Sequence, residues 1–531
     1  MKKYICIILV FAFCMSILTA CGEKDTSGKG FSMAVSELPQ TFDPQIAQTQ
    51  SEKIIALNCF DTLLRPDENG TLQCLAAESY SVSADDLTYT VKIRKGLKYF
   101  VPEKAKAFIE EKGGATPGEV TAKDFAFGIT RACLPETQAP DFVLISAIKN
   151  AEAVRRGEMS KDALGVKATD DYTLVITLER PDDGFLFSLS QPITAACNEQ
   201  FFDLTAGRYG LEQKYTVFNG GFYVSYTGSE TSVKISKNTE YKGANVAVPS
   251  SVNFYLNNDI NSVAGKIKKG NYDCGFVDSS SVKVLPNSVT KTNFTNVTYS
   301  LIFNLSKEEF KRADMRRGLV CAIDFDSLDM ERARGIVAPR YLLSGNTVSN
   351  NDVSQAKYDV QGARRELTEA FSELEISTLK VNIVCTGENE SIAKKIISLW
   401  QKNIGVELNG TLNVLSKDEF YAAIAKKDFD MAIYPISAET GNAVDFMSIF
   451  ESSEEDNFLG YNSEEYDRIF ENLKNDQTSA NLTYAQSFLI ENAVVTPLYF
   501  DSQYFCVGES VSGIYFVSDM SNVYFYKGRK Q

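Results

Sequence analysis

Apolar and polar residues alternate with a period of two along several short stretches. Leu87, Tyr89, Val91 and Ile93 share one side of an extended chain while Thr88, Thr90, Lys92 and Arg94 share the other, as in a strand with one buried face. The same alternation predicts strands at Tyr172, Leu174, Ile176 and Leu178, at Val252, Phe254 and Leu256, and at Leu379, Val381, Ile383 and Cys385. Beyond the last of these the spacing changes. Ile392, Ile396, Leu399, Trp400 and Ile404 recur every three to four residues, which predicts a helix stopped at Gly405. Leu379–Cys385, Ser391–Ile404 and Val406–Leu408 then form a strand–helix–strand unit with a parallel pair, so the C-terminal half is of the α/β class. Turn-rich breaks at Glu111–Gly118, Gly220–Gly221, Gly228–Ser229, Ser344–Asn351 and Thr440–Asn442 predict surface loops.

The chain has 531 residues, more than the roughly 250–300 at which one hydrophobic core stops growing, so two or more lobes are expected. With 44% hydrophobic and 23% charged residues, the body reads as globular rather than disordered or many-spanning. Acidic residues outnumber basic ones, 69 to 54, whereas partners held by their phosphates select basic surfaces, so no nucleic acid partner is expected. Histidine is absent from the sequence. That removes the commonest metal ligand and the base of Ser-His-Asp and Cys-His catalysis. There is also no Gly-x-Ser-x-Gly elbow, so the chain is read as a non-enzyme with no catalytic residue, no metal site and no cofactor.

Of the 11 cysteines, Cys59, Cys74, Cys133, Cys197, Cys274, Cys321, Cys385 and Cys506 stand at wide, irregular spacings and read as free, buried thiols. A disulfide such as Cys59 with Cys74 stays open for an exported chain. Export is indicated by the first residues. Lys2 and Lys3 precede an apolar run from Ile5 to Leu18, shorter than the roughly 18–20 residues of a lasting membrane helix, so residues 1–20 read as a secretory signal. Leu18-Thr19-Ala20-Cys21 at its end resembles the bacterial lipoprotein processing box, which implies lipidation of Cys21. Residues 21–30 are polar and glycine-rich, as a flexible tether is.

Longer motifs follow in the body. Leu38-Pro39-Gln40-Thr41-Phe42-Asp43-Pro44 opens the series, followed by Phe60-Asp61-Thr62-Leu63-Leu64, Leu75-Ala76-Ala77-Glu78-Ser79-Tyr80 and the run Asp85 to Gly96. Thr121-Ala122-Lys123-Asp124-Phe125 with Arg131, Thr169 to Leu174, and Lys269 to Asp273 come next. Asn304, Met315 to Asp324, Asn403 to Val406, Asp428 to Ala432, Tyr461 with Tyr466-Asp467, and Thr496-Pro497-Leu498-Tyr499 complete it. In this order they resemble the peptide and nickel class of bacterial extracellular solute-binding proteins, over nearly the whole mature chain. Phe42 replaces that family's usual leucine, Gly318 its alanine and Ile436 its tryptophan, and Glu439 stands where its ammonium-binding aspartate does.

The resemblance implies an α/β, two-lobed periplasmic-binding-protein-like fold with a hinge and an extra subdomain inserted in the first lobe. The first lobe is then expected from 31–56, 166–256 and 498–531, the inserted subdomain from 57–165, and the second lobe from 257–497, with crossing strands near Asn257 and Pro497. It also implies ligand contacts from Gln48, Thr49 and Gln50 in the first lobe and from Tyr434, Ile436, Ser437 and Glu439 in the second. Read alone, the first three are also ordinary turn residues and Glu439 an ordinary loop carboxylate. The implied partners are a short peptide or other small solute, the permease of an ATP-driven (ABC) importer, and the membrane through the lipid anchor. A monomer on the extracytoplasmic face of the cell membrane is expected. The alternatives are a non-peptide cargo such as a metal chelate, an oligosaccharide or a signal compound, an exported hydrolase, and a surface or sensor lipoprotein.

Overall fold

Two long antiparallel strands, Thr290–Phe303 and Val495–Val507, run through the middle of the protein and belong to two cores at once. They lie in a computed structural model that describes residues 29–531 apart from 183, 258, 340, 344–345, 406, 439–441, 454–456 and 518–521. The signal, Cys21 and most of the tether therefore lie outside the described residues, as does Glu439.

The two strands are central in a ten-stranded sheet. Its order from edge to edge is Leu408–Leu415, Leu379–Thr386, Met431–Ile436, Thr290–Phe303, Val495–Val507, Cys274–Asp278, Phe31–Val35, Ser251–Leu256, Ser232–Lys237 and Phe222–Ser229. One core surrounds the first half of this order, from Tyr299 to Leu498. A second surrounds the other half, built from Phe31–Phe60, Phe218–Phe294 and Phe505–Tyr526. The burial of Val495–Val507 records the change of core. Its ends are buried, while Tyr499 to Tyr504 are half-buried on both faces of the sheet.

The predicted strand–helix–strand unit is present. Leu379–Thr386 pairs in parallel with Leu408–Leu415, and helix Glu390–Asn403 connects them. Trp400 is fully buried on that helix, with its indole N–H donating to the Leu319 carbonyl at 2.9 Å. The structure departs from the expected layout in two places. Asn257 is not a crossing point: its N–H bonds the Val35 carbonyl, and helix Ile260–Lys268 and strand Cys274–Asp278 pack back on Phe31–Val35. The chain first crosses at Thr290–Phe303 instead, a strand of 14 residues that pairs with Met431–Ile436 over one half of its length and continues along Val495–Val507 over the other. Likewise Val166–Asp170 and Thr173–Thr177, expected in the first lobe, belong to a separate four-stranded sheet in the order Ala77–Val82, Thr88–Ile93, Thr173–Thr177, Val166–Asp170. That sheet has its own core, reaching from Leu63 to Val217.

A buried ion pair ties this third body to the first lobe. Arg131, on helix Ala122–Ala132, donates twice to the Asp43 carboxylate at 2.7 and 2.5 Å and also bonds Gln45. Both charges are buried, and the guanidinium lies over the Phe202 and Tyr209 rings. Gly210, at φ 80°, lets the backbone close on the Asp43 turn, where any side chain would overlap it. The eight described cysteines are free thiols, and burial pushes Cys133 and Cys197 up to about 12. Among the described residues no helix is long and apolar enough to cross a membrane.

Candidate ligand-binding cleft

In α/β sheets ligands collect beyond the carboxyl ends of parallel strands, where successive connections leave in opposite directions and open a crevice. The second lobe has such a point. Leu379–Thr386 is parallel to both Leu408–Leu415 and Met431–Ile436, which lie on its two sides. Its carboxyl end leads into Glu388 and Asn389, and that of Met431–Ile436 into Ser437. In the first lobe Phe31–Val35 lies parallel between Ser251–Leu256 and Cys274–Asp278. Register brings the two sets of ends together. Cys274–Asp278 stops opposite Gln503, and Met431–Ile436 stops opposite Thr298, which itself faces Phe500. Both lobes thus end their parallel strands over the half-buried middle of Val495–Val507.

Alternation along this strand selects a face. Phe505 and Val507 share a core with Ile54 and Ile55 of helix Gln50–Cys59, whereas Tyr504 and Cys506 pack on the opposite face against Val263 and Val277. Tyr499 and Asp501 therefore lie on the face that packs against helix Gln50–Cys59. The rings of Tyr299 and Tyr499 stack there with centroids 4.8 Å apart. The Tyr299 hydroxyl donates to Glu388 at 2.7 Å, and the Tyr499 hydroxyl to Asn389 Oδ1 at 2.9 Å. Asp501 is pushed up to about 6, first by burial and then by the carboxylates of Glu388 and Asp278.

Of the residues expected from sequence, Gln48–Gln50 lie at the start of helix Gln50–Cys59 in the first lobe, and Tyr434, Ile436 and Ser437 lie in or just after strand Met431–Ile436 in the second. Thr49 caps helix Gln50–Cys59 in a capping box with Glu52, which explains the helix start locally. The buried Glu52 carboxylate accepts the backbone N–H groups of Gln40, Thr41, Gln48 and Thr49. Gln48 is exposed, and Thr49 and Gln50 are half-buried. Across the cleft Tyr434 is half-buried against Phe458, with centroids 4.7 Å apart, and Ser437 is exposed. Ile436 turns its side chain into the core of the second lobe and pairs its backbone with Thr298. The next peptide is fixed by Tyr341, whose hydroxyl accepts the Ala438 N–H at 2.8 Å and lies 3.0 Å from the Asn296 carbonyl.

Glu388, Asn389, Tyr299 and Asp501 are not among the contacts that the sequence suggests. A signal for the first two exists, because they follow directly on a strand that alternation places. Asp501 has none, since its neighbours in space are far from it in sequence. Among the described residues no group of three His, Cys, Asp or Glu is arranged to hold a metal ion.

Known proteins share this fold. The model of "Bacterial extracellular solute-binding proteins, family 5 Middle" matches residues 71–458. A dipeptide-binding protein of Lactococcus lactis is 24% identical, covering 97% of each chain. A probable deoxycholate-binding periplasmic protein of Escherichia coli is 26% identical over 87% of this chain and 86% of its own. The substrate-binding domain of an oligopeptide ABC transporter from Bacillus anthracis superposes with a TM-score of 0.72 at 22% identity, covering 95% of this chain and 99% of the other. With two lobes meeting over a shared pair of strands and a family match across most of its length, the chain belongs to the bacterial extracellular solute-binding proteins of family 5.

Proposed function

We propose that the protein captures short peptides between its two lobes and passes them, chemically unchanged, to the permease of an ABC importer. One observation carries this reading: the parallel strands of both lobes end over the half-buried middle of the crossing strands. A ligand enclosed there loses water on all sides, so its amides and carbonyls must meet protein groups or stay unsatisfied at a cost. An extended peptide presents such groups at regular intervals, and the Lactococcus lactis relative is named for dipeptide binding. Gln48, Thr49 and Gln50 on one side and Tyr434, Ile436, Ser437 and Glu439 on the other are its proposed contacts, Ile436 through its backbone. A non-peptide solute is the second reading, favoured by the relative named for deoxycholate.

A melting scan over a peptide library tests the reading. A ligand at about a hundredfold over its Kd stabilises the fold by about 2.7 kcal/mol, which is visible as a raised Tm. A response to bile acids, sugars or metal chelates but to no peptide would overturn the peptide assignment and leave the binding protein standing.

The anchor is part of the same proposal, with the mature chain acting as a monomer held outside the membrane by lipid on Cys21. Two or more acyl chains hold a protein stably, whereas one does so only marginally. Cys21→Ala is expected to release the protein from the membrane fraction or to stall its processing. Retention with normal processing contradicts the anchor.

A further inference from the structure

Where the lobes join, one carboxylate on the strand between them lies within electrostatic reach of two others, one from each lobe. Asp278 ends Cys274–Asp278, Glu388 follows Leu379–Thr386, and Asp501 lies in the half-buried middle of Val495–Val507. Their side-chain partners are neutral. Asp278 accepts from Ser280 and Ser281, Glu388 from Tyr299 and Thr386, and Asp501 from Ser279. Among the described residues no lysine or arginine forms an ion pair with any of the three. Hydroxyls satisfy hydrogen bonds but leave the charge, so the half-buried Asp501 and Asp278 and the exposed Glu388 repel one another until a cation arrives. The rise of Asp501 to about 6 reflects that repulsion together with its burial.

Asn389 is a separate indication of a missing ligand. Its side chain is fully buried, its Oδ1 is held by the Tyr499 hydroxyl, and among the described residues its Nδ2 has no hydrogen-bond partner. A buried amide donor left unpaired carries its desolvation cost with nothing to offset it. Oδ1 and Nδ2 share one planar amide, so the free donor lies beside the Tyr499 hydroxyl, which is within electrostatic reach of Glu388 and Asp501. A set of acceptor carboxylates next to one unused donor complements a cation that has a carbonyl close by. A bare metal ion does not fit, because these carboxylates do not converge as metal ligands do. The stacked faces of Tyr299 and Tyr499 instead suit an alkyl stem ending in a positive charge.

We propose that Glu388, Asp501 and Asp278 form a subsite for the ammonium or guanidinium of a basic side chain on the bound peptide, with Asn389 Nδ2 donating to a ligand carbonyl. This rests on peptide capture as the function and adds the class of side chain selected.

Calorimetry with Lys-Ala-Ala, Ala-Lys-Ala and Ala-Ala-Lys, each against its norleucine counterpart, tests the subsite, with 1,5-diaminopentane as a cation that is not a peptide. In the parent protein at least one lysine peptide is expected to bind about tenfold or more tightly than its counterpart, and in Asp501→Asn or Glu388→Gln that preference falls to about twofold. Removing one of the repelling carboxylates does not weaken the empty fold, so Asp501→Asn is expected to melt no lower than the parent at pH 7. Equal binding within every pair overturns the subsite and leaves peptide capture intact. A melting shift with the diamine, lost in Asp501→Asn, in the absence of any peptide binding overturns peptide capture and keeps the cation subsite. No response to lysine peptides and diamine alike overturns the subsite.

Discussion

Asp61 is buried, and the Tyr241 hydroxyl donates to it at 2.6 Å. Burial is the largest influence on its carboxyl and pushes it up to about 7, although Tyr241, Arg65 and Arg94 act in the opposite direction. The sign of the consequence follows from linkage. Between the ordinary value of 3.8 and about 7 the folded chain keeps a proton that the unfolded chain releases, so stability falls as pH rises through that window. Each pH unit within the window removes about 1.4 kcal/mol at most. Asp501, pushed up to about 6, adds a smaller effect of the same sign. Denaturant unfolding at pH 5 and pH 7 is expected to show the parent losing stability and Asp61→Asn losing markedly less. Equal losses in the two proteins contradict the assignment. Asp61 belongs to a motif visible in the sequence, but its partner lies 180 residues away, and no local pattern announces that contact. The same holds for Asp501 and Asn389. Their environment is made by segments that meet only in the folded chain.

Elements with a single buried face were legible. The alternation at Leu87–Ile93 corresponds to strand Thr88–Ile93, and the helical spacing after Ser391 to helix Glu390–Asn403. Both lie against one core throughout, so one period describes each from end to end. The crossing strands were harder. Thr290–Phe303 is exposed or half-buried at most positions over its first half and continuously buried over its second, because it leaves one environment and enters another. No single period survives such a change, and the crossing near Asn257 came from the family resemblance rather than from any pattern in the strand itself. The pairing of Val166–Thr177 with Thr88–Ile93 was hidden for a related reason. Alternation identifies a strand but not its neighbour, and antiparallel pairs of this kind close loops of about eighty residues. At the cleft, the Thr49 cap shows why Gln48–Gln50 read equally as turn residues and as contacts. Their local chemistry starts a helix, while any contact with a ligand depends on how the whole sheet folds.

Across the whole protein, two cores share one sheet through two strands, and those strands are open on both faces at their midpoints. Bulges at Thr295–Val297 and at Tyr299–Ser300 fall in the same stretch, where the ladder is locally interrupted. A few backbone angles there can turn one lobe against the other while both cores stay packed, which is hinge closure rather than refolding. The inserted body faces the second lobe away from this hinge, across a cavity of about 230 Å³ lined by Phe142 and Arg180 from one and by Asp445, Phe470 and Lys474 from the other. Closure and capture are expected to be a single event. Small-angle X-ray scattering of the purified protein, with and without a peptide that raises its Tm, decides whether they are. The radius of gyration is expected to fall on binding and to return when the peptide is removed by dialysis. A peptide that binds and stabilises the protein while leaving the radius of gyration unchanged contradicts capture by closing lobes.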